Sequence, residues 1–70
     1  MSAVVYIGDN VKRLRTREAL TQAQLARRAG IALATLARIE RNEVEPHLTN
    51  VKKLADAFGV HPSVLIDEED

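Results

Sequence analysis

The chain has 70 residues, 46% of them hydrophobic and 3% aromatic, with ten basic and ten acidic side chains and no cysteine. That length holds one domain with a small core, and the lack of cysteine excludes both a disulfide framework and a thiolate metal site. No apolar run approaches a membrane span, and MSAVVYIG is too short and uncharged for a signal peptide, so a soluble, cytoplasmic protein is expected.

Five helices and no strands are predicted. The first runs from about Ile7 to Glu18, with Val11, Leu14 and the aliphatic stem of Arg15 on its inner side. The second opens at Thr21, where Gln24 three positions later completes a capping box. Ala23, Leu25, Ala26 and Ala29 give it a narrow inner face of small residues. Gly30 stands where the chain must leave the helix, a place that favours positive φ. The third helix is expected from about Ala32 to Arg41. Leu36 and Ile39 face inward, Leu33, Ala34, Ala37, Arg38 and Arg41 point elsewhere, and Asn42 supplies a left-handed stop. Two short helices joined by a tight turn are the commonest device by which a small protein places a helix in the major groove of DNA.

Beyond that unit, Glu43 to His47 form a loop in which Pro46 blocks helical continuation. A fourth helix from about Leu48 to Phe58 carries Leu48, Val51, Leu54, Ala55 and Phe58 inward and stops at Gly59. Pro62 opens a short fifth helix containing Val64, Leu65 and Ile66.

The zero net charge conceals an uneven distribution. All ten Lys and Arg residues lie between Lys12 and Lys53, while four of the ten acids are Asp67, Glu68, Glu69 and Asp70. Without that tail, ten basic face six acidic residues, a net +4. An acidic, solvated, disordered tail on a mildly basic body is compatible with DNA binding, although the field is weak. Catalysis finds no support: His47 and His61 read as loop or cap residues, and no spacing suggests a metal site, a nucleophile–base pair or a phosphate loop. No cofactor is expected.

The segments IGDNVKRLR, LTQAQLARRAGI, TLARIERN and PHLTNVKKLADAFGVHPSVLI resemble, together and in this order, the Cro/repressor-type (Xre-like) helix-turn-helix regulators. The likeness spans Ile7 to Ile66 and implies an all-α, compact five-helix domain of the repressor-like DNA-binding type. Its helix-turn-helix is formed by helices two and three, and the family often acts as a homodimer on a pseudo-palindromic operator. By the same resemblance Gln22, with Thr21 beside it, falls at a phosphate contact. Leu33, Ala34 and Arg38 fall on base-reading positions, and Thr35 and Arg41 are placed to reach nearby phosphates or bases. His47 is placed for a backbone contact. Arg15 and Glu40 match a structural ion pair that holds the reading helix without touching DNA.

Three departures stand out. Ala32 replaces the Ser or Thr that commonly caps the reading helix, Leu33-Ala34 replaces polar base readers, and Glu43 and Glu45 put negative charge in a loop that normally runs near phosphate. Two functions follow from different classes. One is a homodimeric transcriptional regulator on double-stranded DNA. The other is a protein-interaction module, such as an antitoxin or anti-repressor, gripping a protein with the helix-turn-helix face. The surface expected to join two copies is the fifth helix with its preceding loop, Val60, Val64, Leu65 and Ile66, some of which must also pack onto the fourth helix.

Overall fold

The computed structural model describes residues 7–66; the acidic tail expected at 67–70 lies outside the described residues. Five helices follow one another: α1 (Ile7–Arg17), α2 (Gln22–Ala29), α3 (Leu33–Glu40), α4 (Leu48–Phe58) and α5 (Ser63–Ile66). No strand occurs among the described residues. α3 packs on α1 and α2, α2 on α4, and the short α5 closes the bundle against α1 and α4.

Each of the four longer helices ends the same way, and the chain's turn residues explain why. The residue after the last turn adopts a left-handed conformation at Ala19 (φ 58), Gly30 (φ 75), Asn42 (φ 58) and Gly59 (φ 70). In each case the next amide donates back across the turn: Leu20 to Arg15, Ile31 to Ala26, Glu43 to Arg38 and Val60 to Ala55. This reversal satisfies carbonyls that a helix end otherwise leaves open. Glycine and asparagine tolerate the conformation, so three of the four stops are legible in the sequence. Ala19 is not, because its Cβ opposes the left-handed region by about 1–2 kcal/mol.

The core is aliphatic. Val11, Leu25, Leu36, Leu54, Ala55 and Leu65 are wholly buried, and Ile39 nearly so, with Leu20, Ile31, Phe58 and Val60 packed around them. Two expected inner positions fall elsewhere. Ala23 is exposed because the buried stripe of α2 is Leu25, Ala26 and Ala29, and Ala23 sits about 200° round the helix from Leu25. Leu48 is 63% exposed, since the first turn of α4 projects past the end of the core. Phe58 faces inward as expected and packs on the core while half-buried.

Leu65 corrects the expected dimer surface. It is wholly buried, and its carbonyl accepts a 2.7 Å hydrogen bond from Nδ2 of the buried Asn10. A side chain sealed between α1 and α4 has no area left to offer a second copy. At the start of α5, Nδ1 of His61 accepts the Ser63 amide at 3.1 Å, so this histidine caps a helix.

Candidate nucleic-acid interface

The site grows from how α2 begins. Thr21 is extended (φ −76, ψ 162), its Oγ1 accepts the Gln24 amide at 3.0 Å, and Gln24 Oε1 accepts the Thr21 amide at 2.8 Å. The capping box fixes the direction in which the chain enters α2. It also leaves the Thr21 hydroxyl proton free to donate outward.

Gln22 follows, half-buried, and its Nε2 donates to Glu40 Oε1 at 3.0 Å. Glu40 is 6% exposed and receives Arg15 as well, Nε to Oε2 at 2.7 Å and Nη2 to Oε1 at 3.0 Å. The remaining guanidinium nitrogen of Arg15, Nη1, donates to the Leu20 carbonyl at 2.9 Å. One side chain of α1 thus holds the α1–α2 turn and the end of α3 together, and Glu40 passes that constraint to Gln22. The hydrogen bond to Glu40 holds the Arg15 guanidinium more firmly protonated than usual, against the opposing effect of burial. The expected Arg15–Glu40 pair is present. The link to Gln22 was not expected, because residues 18 apart on different helices leave no sequence signal.

α3 presents a mixed outer face. Leu33 (49% exposed), Ala34 and Arg38 are open, while Thr35 and Ala37 are half-buried. Among the described residues Arg38 makes no ion pair within 4.0 Å. Ala32 sits in the extended conformation of an N-cap (φ −69, ψ 142) with no side-chain bond to the helix. Ala32→Ser supplies the missing acceptor without changing the backbone and should stabilise the domain by about 1 kcal/mol. Denaturant titration checks this; no gain would mean that the first turn of α3 is already satisfied.

Arg41 ends α3 and is engaged. Its Nε and Nη2 lie 2.6 and 3.2 Å from the two carboxylate oxygens of Glu43. That hydrogen bonding pulls the Glu43 carboxyl below the usual range, with a further contribution from the charge of Arg38, and raises Arg41.

Thr35, Arg38 and His47 come together around one shallow cleft of about 200 Å³, bordered by Val44, Pro46 and Asn50. His47 is the N-cap residue of α4 and makes no side-chain cap bond. Asn50, in the first turn of α4, carries no sequence signal for this cleft, because a polar residue there looks like any other solvated position. Thr21, Leu33 and Ala34 are exposed, but no contact joins them to this cleft.

Of the expected dimer residues, Val64 and Ile66 remain open and Val60 is half-buried against the core. Two further apolar side chains, Val44 and Leu48, are exposed without having been expected. Val44, Leu48 and Ile66 border an open groove of about 520 Å³ with Ile7, Pro46 and Val51.

The family described as helix-turn-helix (HTH_3) matches residues 11–65. The chain belongs to this family. Among relatives, it is 36% identical over 63 residues to the immunity repressor protein of Bacillus phage phi105, covering 90% of this chain and 44% of that protein. Among helix-turn-helix structures it resembles the N-terminal DNA binding domain of SinR from Bacillus subtilis, with a TM-score of 0.85 and 31% identity over 90% of this chain and 93% of that one. It is equally similar to the restriction-modification controller protein C.AhdI from Aeromonas hydrophila, with a TM-score of 0.84 and 32% identity over 89% and 94%. The chain therefore spans less than half of the phage repressor but nearly all of the SinR domain and the C.AhdI chain. Among the described residues no helix is long and apolar enough to cross a membrane, and no group of three or more His, Cys, Asp or Glu is placed to hold a metal ion.

Proposed function

We propose that this chain is the DNA-binding domain of a transcriptional regulator of repressor type, acting as a homodimer on a pseudo-palindromic operator. The observation that carries the proposal is the clamp of Arg15, Glu40 and Gln22, which locks α3 against α2 while leaving Leu33, Ala34 and Arg38 outward. A helix presented in this way fits the major groove, and the exposed guanidinium of Arg38 can pair with guanine O6 and N7. Leu33 and Ala34 have nothing to donate or accept, so their part of the half-site is read through thymine methyl groups and DNA shape. Gln22 retains a second amide hydrogen after serving Glu40, and that hydrogen is available to a phosphate. The DNA binding named for the SinR domain supports the same reading.

A single small domain reads few base pairs, and two copies on half-sites about one helical turn apart supply the missing specificity. Val64, and Ile66 with Val44 and Leu48 along one groove, are the exposed apolar side chains available for pairing. The exposed Leu33 beside Ala34 favours one other reading, in which this face grips a protein partner.

Selection of bound duplexes from a random library at moderate salt separates the two. Enrichment of an inverted repeat is the expected result; no enrichment, with binding lost at modest salt, would assign the face to a protein. On the enriched duplex, Arg38→Ala should cost about 1–3 kcal/mol and relax preference at one position of each half-site. Gln22→Ala should instead weaken binding across all sequences alike. Uniform weakening by Arg38→Ala would remove its base-reading role.

A further inference from the structure

Arg41 and Glu43 are brought together by backbone geometry. The Glu43 amide donates to the Arg38 carbonyl at 3.0 Å, and the turn between them is held by Asn42, left-handed at φ 58, whose Nδ2 donates to Asp9 Oδ1 at 2.9 Å. The two side chains then meet edge-on, Nε against Oε2 and Nη2 against Oε1. That edge of a guanidinium is the one that takes two non-ester oxygens of a phosphodiester, and a carboxylate presents its oxygens at a similar spacing. Both side chains are more than half exposed, so the pair is weak and exchangeable.

Resting on the DNA-binding reading above, we infer that Glu43 stands in for a DNA phosphate on Arg41, so that the domain must exchange an internal carboxylate for the phosphate each time it binds. Two consequences follow. Arg41 contributes less to affinity than a free arginine would, and the displaced Glu43 carboxylate is left close to the backbone it yielded to. Phosphate contacts carry no sequence information, so this competitor lowers binding to every duplex equally, leaves discrimination unchanged and makes base reading a larger share of the binding free energy. Glu43 is in this sense an affinity-setting residue that does not itself touch bases. Glu45, two residues on and also exposed, adds negative charge to the same loop.

The test is a double-mutant cycle on the whole chain: wild type, Glu43→Gln, Arg41→Ala and the double variant, titrated against one duplex between about 50 and 200 mM salt. Both substitutions lie at solvent-exposed positions, and circular dichroism verifies that each variant is folded. Glu43→Gln should tighten binding about two- to fivefold per protomer and steepen the log–log salt dependence by about one unit per protomer. In the Arg41→Ala background the same change should give less than half of that gain. Equal gains in both backgrounds would show Glu43 to be only diffuse negative charge, and no gain would show that it does not compete; either overturns the proposal. Failure of the wild type to bind the duplex at all overturns the DNA-binding reading, and the competitor falls with it.

Discussion

Glu40→Ala is expected to remove about 3–5 kcal/mol of stability, because it strands the Arg15 guanidinium, only 16% exposed, without its counter-charge. Small domains hold a total of about 5–15 kcal/mol, and a chain of this size sits toward the lower end, so the variant should be largely unfolded at 37 °C. The loss comes from more than one bond. Glu40 accepts two hydrogen bonds from Arg15 and one from Gln22, and without it the end of α3 loses its anchor to both α1 and α2. Chemical denaturation measures the effect, and a loss under about 1 kcal/mol would place this pair with ordinary surface ion pairs. Replacing both partners by apolar side chains of similar volume, Arg15→Met with Glu40→Leu, should recover much of the stability. The same double variant leaves Gln22 unheld and is therefore expected to fold yet bind DNA less well, which separates the clamp's structural part from its functional one.

Gly8→Ala is the second large effect, and its sign runs against helix propensity. In an exposed helix interior, alanine is favoured over glycine by about 1 kcal/mol. Here a Cβ at residue 8 would run into the backbone carbonyl oxygen of Ile39 and the side chain of Asn42. The Asn42 amide can swing aside, but only by giving up Asp9, and the Ile39 carbonyl belongs to the last turn of α3 and cannot move alone. The helices must separate, at a net cost of about 1–3 kcal/mol. For a domain of this size that lowers the melting temperature by roughly 4–8 °C for each kcal/mol. An unchanged or raised melting temperature would mean that α1 and α3 approach less closely at this point. Because the displaced element carries Arg38 and Arg41, Gly8→Ala should also weaken DNA binding even at temperatures where the protein remains folded.

Much of this molecule is written locally in the chain. Thr21 with Gln24, Gly30, Asn42 and Gly59 mark where helices start and stop, and the periodic placing of Val11, Leu14, Leu25, Leu36, Ile39, Val51 and Leu54 marks which face each helix buries. These signals depend on residues within one or two turns of each other, so a linear reading reaches them. The Arg15–Glu40 pair, 25 residues apart, was reachable only through resemblance to a family.

Tertiary structure decided the rest, wherever two segments distant in sequence compete for the same space or the same hydrogen bond. Leu65 and Val64 are adjacent and equally apolar, yet one is sealed by α1 and α4 and the other is open, because a four-residue helix can bury only the side it turns inward. Leu48 has the right period to be buried and lies beyond the core's edge all the same. Gly8 looks like a poor helix residue until α3 is laid against it. Gln22 looks like a free surface amide until Glu40 arrives from another helix. Local sequence determined five helices and their order through short-range capping and periodicity. The packing of those helices determined which side chains were left over to meet a partner, because burial and hydrogen bonding are settled only when every neighbour is in place.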